Sequence, residues 1–342
     1  MQINRRRLLL QGLAGAAVLG GSSLHRTRAA TAAAGRPDSK IAGVQIGVIS
    51  YSFRSMPDVS AEAILRYCRQ LGINAIELMG DPAEWYAGIP IRFDITKLYQ
   101  VYDRSAAGQP PLSAAEERQR KALLDTYAEY KRRAAVWRAQ VSMDRFKQLR
   151  RLYNDAGVSI YAFKPGTFDV DNTDAEIDYG MRAARALGAN QVTVEIPDSM
   201  AQIRRLAAAA ARHGLLMAYH QHLQASPTLW DAALAESPAN AINIDLGHYV
   251  AAGDYDAVAF VRKHHARIAS MHLKDRKNRA DGGANMPWGQ GDTPLGPVLQ
   301  LMRDQHYRFP AAIELEYDIP AGSDAVQEVG RCLDYCRRVL TQ

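Results

Sequence analysis

Short apolar runs recur along the chain, separated by longer stretches with helical spacing. The runs cover residues 44–53, 75–79, 158–163, 191–196, 215–222, 241–245, 268–273 and 311–315. Between them, residues 61–70, 174–186, 200–213 and 255–265 carry amphipathic helical patterns. Strand–helix alternation predicts a parallel α/β sheet. Eight such units in about 300 residues predict a closed (β/α)8 barrel of the TIM type rather than an open sheet.

Two runs indicate which face looks inward. In Ala241-Ile242-Asn243-Ile244-Asp245 the isoleucines alternate with small or polar residues, and in Ile313-Glu314-Leu315-Glu316 acids alternate with aliphatics. Side chains alternate across a strand, so the aliphatic set is expected against the helices and the polar set in the barrel interior. Polar residues gather toward the C-terminal strand ends, where such a barrel keeps its chemistry.

One stretch breaks the rhythm. About 78 residues separate the second and third runs, against roughly 30 for an ordinary unit. An insertion over about 81–155 is therefore expected. Residues 81–111 read as turn-rich and aromatic, with Trp85, Tyr86, Phe93, Tyr99 and Tyr102, and residues 113–153 as one or two long helices opened by a Ser113/Glu116 capping box. The aromatic half is expected to form a wall or lid over the pocket, since sugar C–H faces stack on aromatic rings. The helical half reads as a lid, a solvated decoration or a homo-oligomer contact.

Charge changes the picture only at the N-terminus. Arg5, Arg6, Arg7, Arg26 and Arg28 fall in the first 32 residues, which hold no acid; without them 37 basic residues face 36 acidic ones. The formal +6 of the whole chain is thus largely a property of its leader, and nucleic acid is not an expected partner. The arginines before Leu8-Leu9-Leu10, the weakly apolar run to Gly21 and the small residues Ala30-Thr31-Ala32 read as a twin-arginine export signal over residues 1–32. The mature barrel, residues 33–342, is expected in the periplasm, with no stable membrane insertion. Cys68, Cys332 and Cys336 are too few for a disulfide framework and lack zinc-site spacing, so packing is their expected role.

Candidate chemistry collects at the ends of the last four runs. They read Tyr219-His220-Gln221-His222, Asp245-Leu246-Gly247-His248, Met271-His272-Leu273-Lys274-Asp275-Arg276 and Glu314-Leu315-Glu316. Parallel neighbours bring such side chains together at the barrel mouth. Mixed imidazole and carboxylate donors suit one divalent ion: Mn, Co, Zn or Fe.

These stretches, with the Gly289-Gln290-Gly291 turn, resemble the sugar phosphate isomerase/epimerase superfamily, whose members fold as xylose-isomerase-like TIM barrels. The likeness spans most of residues 44–340. It implies Asp245, His272 and Glu314 as metal ligands and His248 as a substrate contact. The fourth ligand of the family, a glutamate after the fifth strand, falls on His220 when counted from Gly214. That departure removes one of the two acid/base carboxylates of the ketose epimerases. Glu195, ending the neighbouring strand, is a replacement carboxylate.

The resulting expectation is a metal-dependent isomerase or epimerase of an unphosphorylated sugar or a keto-sugar derivative, with a small carbohydrate as its partner. Glu314, Glu195 and His222 are the candidate bases, and Lys164, Arg276 and Trp288 join His248 as substrate contacts. A lyase eliminating from a 3-oxo-sugar or inosose is the close rival, and a non-catalytic sugar-binding protein the distinct one. A phosphodiester hydrolase on the same barrel would need more ligands than the chain offers.

Overall fold

The computed structural model describes residues 36–93, 112–253 and 255–342. The expected export signal, together with Tyr99 and Tyr102 of the expected lid, lies outside the described residues. Two units are distinguished: residues 36–89 with 137–342, and residues 90–136.

In the first unit eight parallel strands pair in sequence order: β2 (Val44–Ile49), β3 (Ala75–Met79), β4 (Ser159–Lys164), β5 (Gln191–Glu195), β6 (Leu216–His220), β7 (Asn240–Asp245), β8 (Ile268–Leu273) and β9 (Ala311–Ile313). β9 pairs back onto β2, which closes the barrel. A two-residue strand, β1 (Lys40–Ile41), runs antiparallel beside β2. Flanking helices include α1 (Ala61–Leu71), α2 (Gly80–Ala87), α4 (Asp144–Asp155), α5 (Asp174–Leu187), α6 (Met200–His213), α7 (Asp231–Glu236), α8 (Leu246–Gly253), α9 (Ala257–His264), α10 (Leu295–Asp304) and α11 (Ala325–Leu340), while α3 (Ala114–Gln140) belongs to the second unit up to Val136.

The fold follows from the alternation. Ile242, Ile244, Met271, Leu273 and Ile313 are fully buried in the core cluster they share with the helices. The opposite parity is buried but polar: Gln191, Thr193, Asn243, Ser270 and His272 line the interior, where Gln191 and Asn243 both donate to Ser270 Oγ at 2.7 Å. Local signals end the helices. Gly214, at φ 62°, accepts the left-handed conformation that stops α6 and turns the chain into β6, which carries His220.

Two boundaries differ from the sequence reading. The segment after β3 is helical at its start, not turn-like: Pro82 falls in the first turn of α2, where its missing N–H costs nothing, and Gly88 caps the end at φ 96°. Trp85 and Tyr86 therefore ride on a barrel helix. β9 stops at Ile313, so Glu314 and Glu316 lie just past it, although Glu314 still donates its N–H to Leu273 O at 3.1 Å. Ser113 and Glu116 do form the expected capping box. In the second unit Phe93 packs on Tyr127 and Tyr130, at 4.9 and 5.6 Å between ring centres. Within the barrel unit, Arg138 makes a buried two-pronged bond to Glu84, which also accepts from Tyr179. All three cysteines are buried and free.

Candidate metal centre and active site

Strand register brings the expected ligands together. Asp245 on β7 pairs in register with His272 on β8, and His220 on β6 with Asn243 on β7. Side chains two residues apart on these strands point the same way, so all converge on the C-terminal end of the barrel. One donor atom from each of His220, Asp245, His272 and Glu314 lies within 4.8 Å of all the others, and all four residues are buried.

Their lone pairs decide whether this group suits a divalent ion. Asn243 gives its amide N–H to Ser270, so its oxygen accepts from His220 Nδ1 at 2.7 Å. His220 is thus left with an Nε2 lone pair. Burial holds this imidazole well below its ordinary pKa, so it is neutral, as a ligand must be. His272 Nε2 meets Glu77 Oε2 at 2.9 Å, while the other Glu77 oxygen accepts from Thr193 Oγ1 at 2.6 Å. That leaves His272 Nδ1 on the ligand side, 3.1 Å from Glu314 Oε2. Asp245 Oδ1 accepts the His248 N–H at 2.7 Å, while Oδ2 has an ion-pair contact but no hydrogen bond. Two imidazole lone pairs and two carboxylate oxygens, with a second polar group behind both imidazoles, fit Mn, Co, Zn or Fe.

Charge in this interior is dense. Burial pushes Asp245 up to about 6 despite the cation of Lys274 beside it. Burial acts the same way on Glu314, but Lys274 and His272 prevail and hold it well below the carboxylate range. Burial disfavours a charged His272, yet Glu314 and Glu77 on its two nitrogens raise it to about 10.

A second group adjoins the first and shares His220: Glu195, His220 and His222. Glu195 Oε1 accepts from Lys164 Nζ at 2.9 Å, and its Oε2 stands 3.3 Å from His222 Nδ1. Burial would raise Glu195, but Lys164 and the two histidines hold it far below the usual range. Glu195 is thereby held as a carboxylate anion between Lys164 and His222. Lys164, expected as a substrate contact, is paired with Glu195.

The remaining expectations divide. His248 is buried beside the ligand group, with its ring 4.7 Å from that of His222, and Arg276 reaches its Nδ1 at 2.8 Å. Arg276 is anchored in turn on Gly283 O. Trp288 is not gathered into the cluster. It packs edge-on against Tyr335 of α11, with ring centres 5.8 Å apart. The loop that carries it is shaped by Asp275, whose carboxylate accepts the N–H groups of Gly289 and Gly291 at 2.8 and 2.9 Å. Sequence reasoning passed over Glu77 and gave no role to Lys274 or Glu316. A lone acid in Ala75-Ile76-Glu77-Leu78-Met79 was the available signal for the first.

With this geometry in hand, comparisons with known proteins are consistent. A family profile described as xylose isomerase-like TIM barrel matches residues 125–336. Among solved structures, a sugar phosphate isomerase/epimerase from Parabacteroides distasonis is 14% identical with a TM-score of 0.55, over 89% of this chain and 98% of that one. The 3-keto-D-glucoside 4-epimerase of E. coli is 11% identical with a TM-score of 0.53, over 86% and 99%. A probable 3-DHS dehydratase from Bacillus anthracis is 15% identical with a TM-score of 0.56, over 87% and 99%. At these identities the likeness is one of fold. No curated protein matches the chain.

Proposed function

Because the chain belongs to the xylose isomerase-like TIM barrel family, we propose that it is a metal-dependent isomerase or epimerase. Its substrate in this reading is an unphosphorylated sugar or a keto-sugar derivative. The observation that carries the proposal is the direct adjacency of the two groups that share His220. A divalent ion held by His220, Asp245, His272 and Glu314 would polarise a carbonyl and a neighbouring hydroxyl, making the C–H between them more acidic.

His222 takes that proton. Its Nδ1 is turned to the fixed anion of Glu195, so Nε2 is the nitrogen left to exchange, as in other imidazoles oriented by a carboxylate. Lys164 holds the far oxygen of Glu195 and so keeps the carboxylate from rotating away. Glu314, tied to His272 and Lys274, acts as a ligand, and the role of base passes from it to His222. His248 and Arg276 stand beside the group to meet substrate hydroxyls.

One base suffices to move a proton between adjacent carbons on a single face of the substrate, and equally for a same-face elimination. Epimerisation also needs a donor opposite. The single Glu195–His222 pair thus favours isomerisation within the proposal and supports a lyase as the second reading. Incubation of the metal-loaded chain with ketoses and 3-oxo-glycosides in D2O tests both. Deuterium in an isomeric product supports the first reading and loss of water or alcohol the second. Tight sugar binding without exchange would make the chain a binder. Export by the twin-arginine route belongs to the same proposal, and changing Arg5, Arg6 and Arg7 together to Lys should strand precursor in the cytoplasm.

A further inference from the structure

Lys274 is 2% exposed and reaches the ligand group from outside it. Its Nζ lies 2.9 Å from Asp245 Oδ2, 2.9 Å from Glu314 Oε2 and 2.8 Å from Glu316 Oε2. The first two oxygens belong to the ligand residues and the third does not. An ion about 2.1 Å from an oxygen, and an ammonium 2.9 Å from that same oxygen, can be no more than roughly 5 Å apart. Like charges that close in a buried site repel strongly.

A second contact bears on the same side chain. Arg276 NH1 is 2.8 Å from His248 Nδ1, and Lys274 Nζ is 3.0 Å from its Nε2. A neutral imidazole has one lone pair, so it accepts from one of these two cations at most. The charge that holds the ammonium in place comes from the three carboxylates.

We infer that Lys274 is a built-in counter-cation that releases Asp245 and Glu314 to the divalent ion and retires onto Glu316. The inference rests on the metal-site reading above. Without the ion, Lys274 keeps the buried ligand carboxylates from repelling one another. When the ion enters, Glu316 is the carboxylate that retains the ammonium. Glu316 therefore acts on metal affinity through Lys274 and not by touching the ion, which makes it a positioning residue.

The test is titration of the mature chain with Mn2+ against a chelating competitor. Lys274→Met should bind about tenfold or more tightly, because nothing has to be displaced. Glu316→Gln should bind more weakly, because the ammonium has lost its alternative partner. In the Lys274→Met background the Glu316→Gln change should cost less than about twofold, as a double-mutant cycle requires of a residue acting through another. Equal weakening in both backgrounds would mean that Glu316 acts by its own charge, and the inference falls. If wild type and Lys274→Met bind Mn2+ equally well, the metal site stands and the inference falls; if neither binds, both fail. A crystal structure of the wild-type chain with Mn2+ needs no variant to fold. Lys274 Nζ should have left Asp245 Oδ2, and an unchanged contact overturns the proposal.

Discussion

The ligand group and the Glu195–His222–Lys164 group share a border at the strand ends but are built differently. In the first, the side chains of Asp245, His272 and Glu314 are 0%, 0% and 7% exposed, and both imidazoles are pinned from behind by a barrel-interior residue. In the second, Glu195 and His222 are 33% and 35% exposed. Burial, with each imidazole bonded from behind, fixes atoms in place, which suits holding an ion. Partial exposure leaves an imidazole able to shift and exchange protons. In the proposed reading this difference separates a group that binds from a group that moves protons.

The largest effect should come from Asp245→Ala, which removes a ligand from the rigid group. Stoichiometric divalent metal should be lost on dialysis, measured by elemental analysis. Full retention would dissolve the distinction between the groups.

His222→Asn is the complementary change. Metal content should stay at wild-type level while proton exchange falls about 10²–10⁴-fold, the usual contribution of a general base. A loss of metal, or an exchange rate within tenfold of wild type, would return the base role to Glu314.

Glu77→Gln probes the support behind the rigid group. It keeps the shape but weakens the bond that orients His272, so metal affinity should drop about 10–100-fold. Competition with a chelator reads this directly, and unchanged affinity would show that His272 needs no orienting.

The smallest effect is expected at a carboxyl in neither group. Asp81, on α2, is raised to about 6 by burial first and Glu84 second, against a reference of 3.8. The folded state binds this proton more tightly than the unfolded one. The resulting stability is present below pH 3.8 and lost as pH rises through about 6. Asp81→Asn should therefore gain roughly 1–2 kcal/mol at pH 8 and almost nothing at pH 4. Thermal melts at the two pH values check it.

The barrel was legible in the sequence because its evidence is local. Period-two alternation in Ala241-Ile242-Asn243-Ile244-Asp245 assigns faces without knowledge of any neighbour. For the same reason His220, Asp245, His272 and Glu314 could be named: each stands at or just past the end of a recognisable run, and parallel strands make such ends neighbours. Less legible was the segment after β3, where Gly, Asp and Pro looked like a turn but occupy the first turn of α2.

What each of those residues does was decided elsewhere. Glu77 and His272 are 195 positions apart and meet only because the barrel brings β3 and β8 to face each other across its interior. Trp288 turned to Tyr335 because Asp275 gathers the Gly289 and Gly291 amides and shapes its loop. Glu195 became a fixed anion because β4 and β5 are neighbours, which sets Lys164 beside it. Composition and alternation determined the strands, their faces and the side chains at their ends, since these follow from the chain's own local geometry. Closure and register decided which charge stands beside which, because Coulomb and hydrogen-bond energies depend on distances that no local pattern contains.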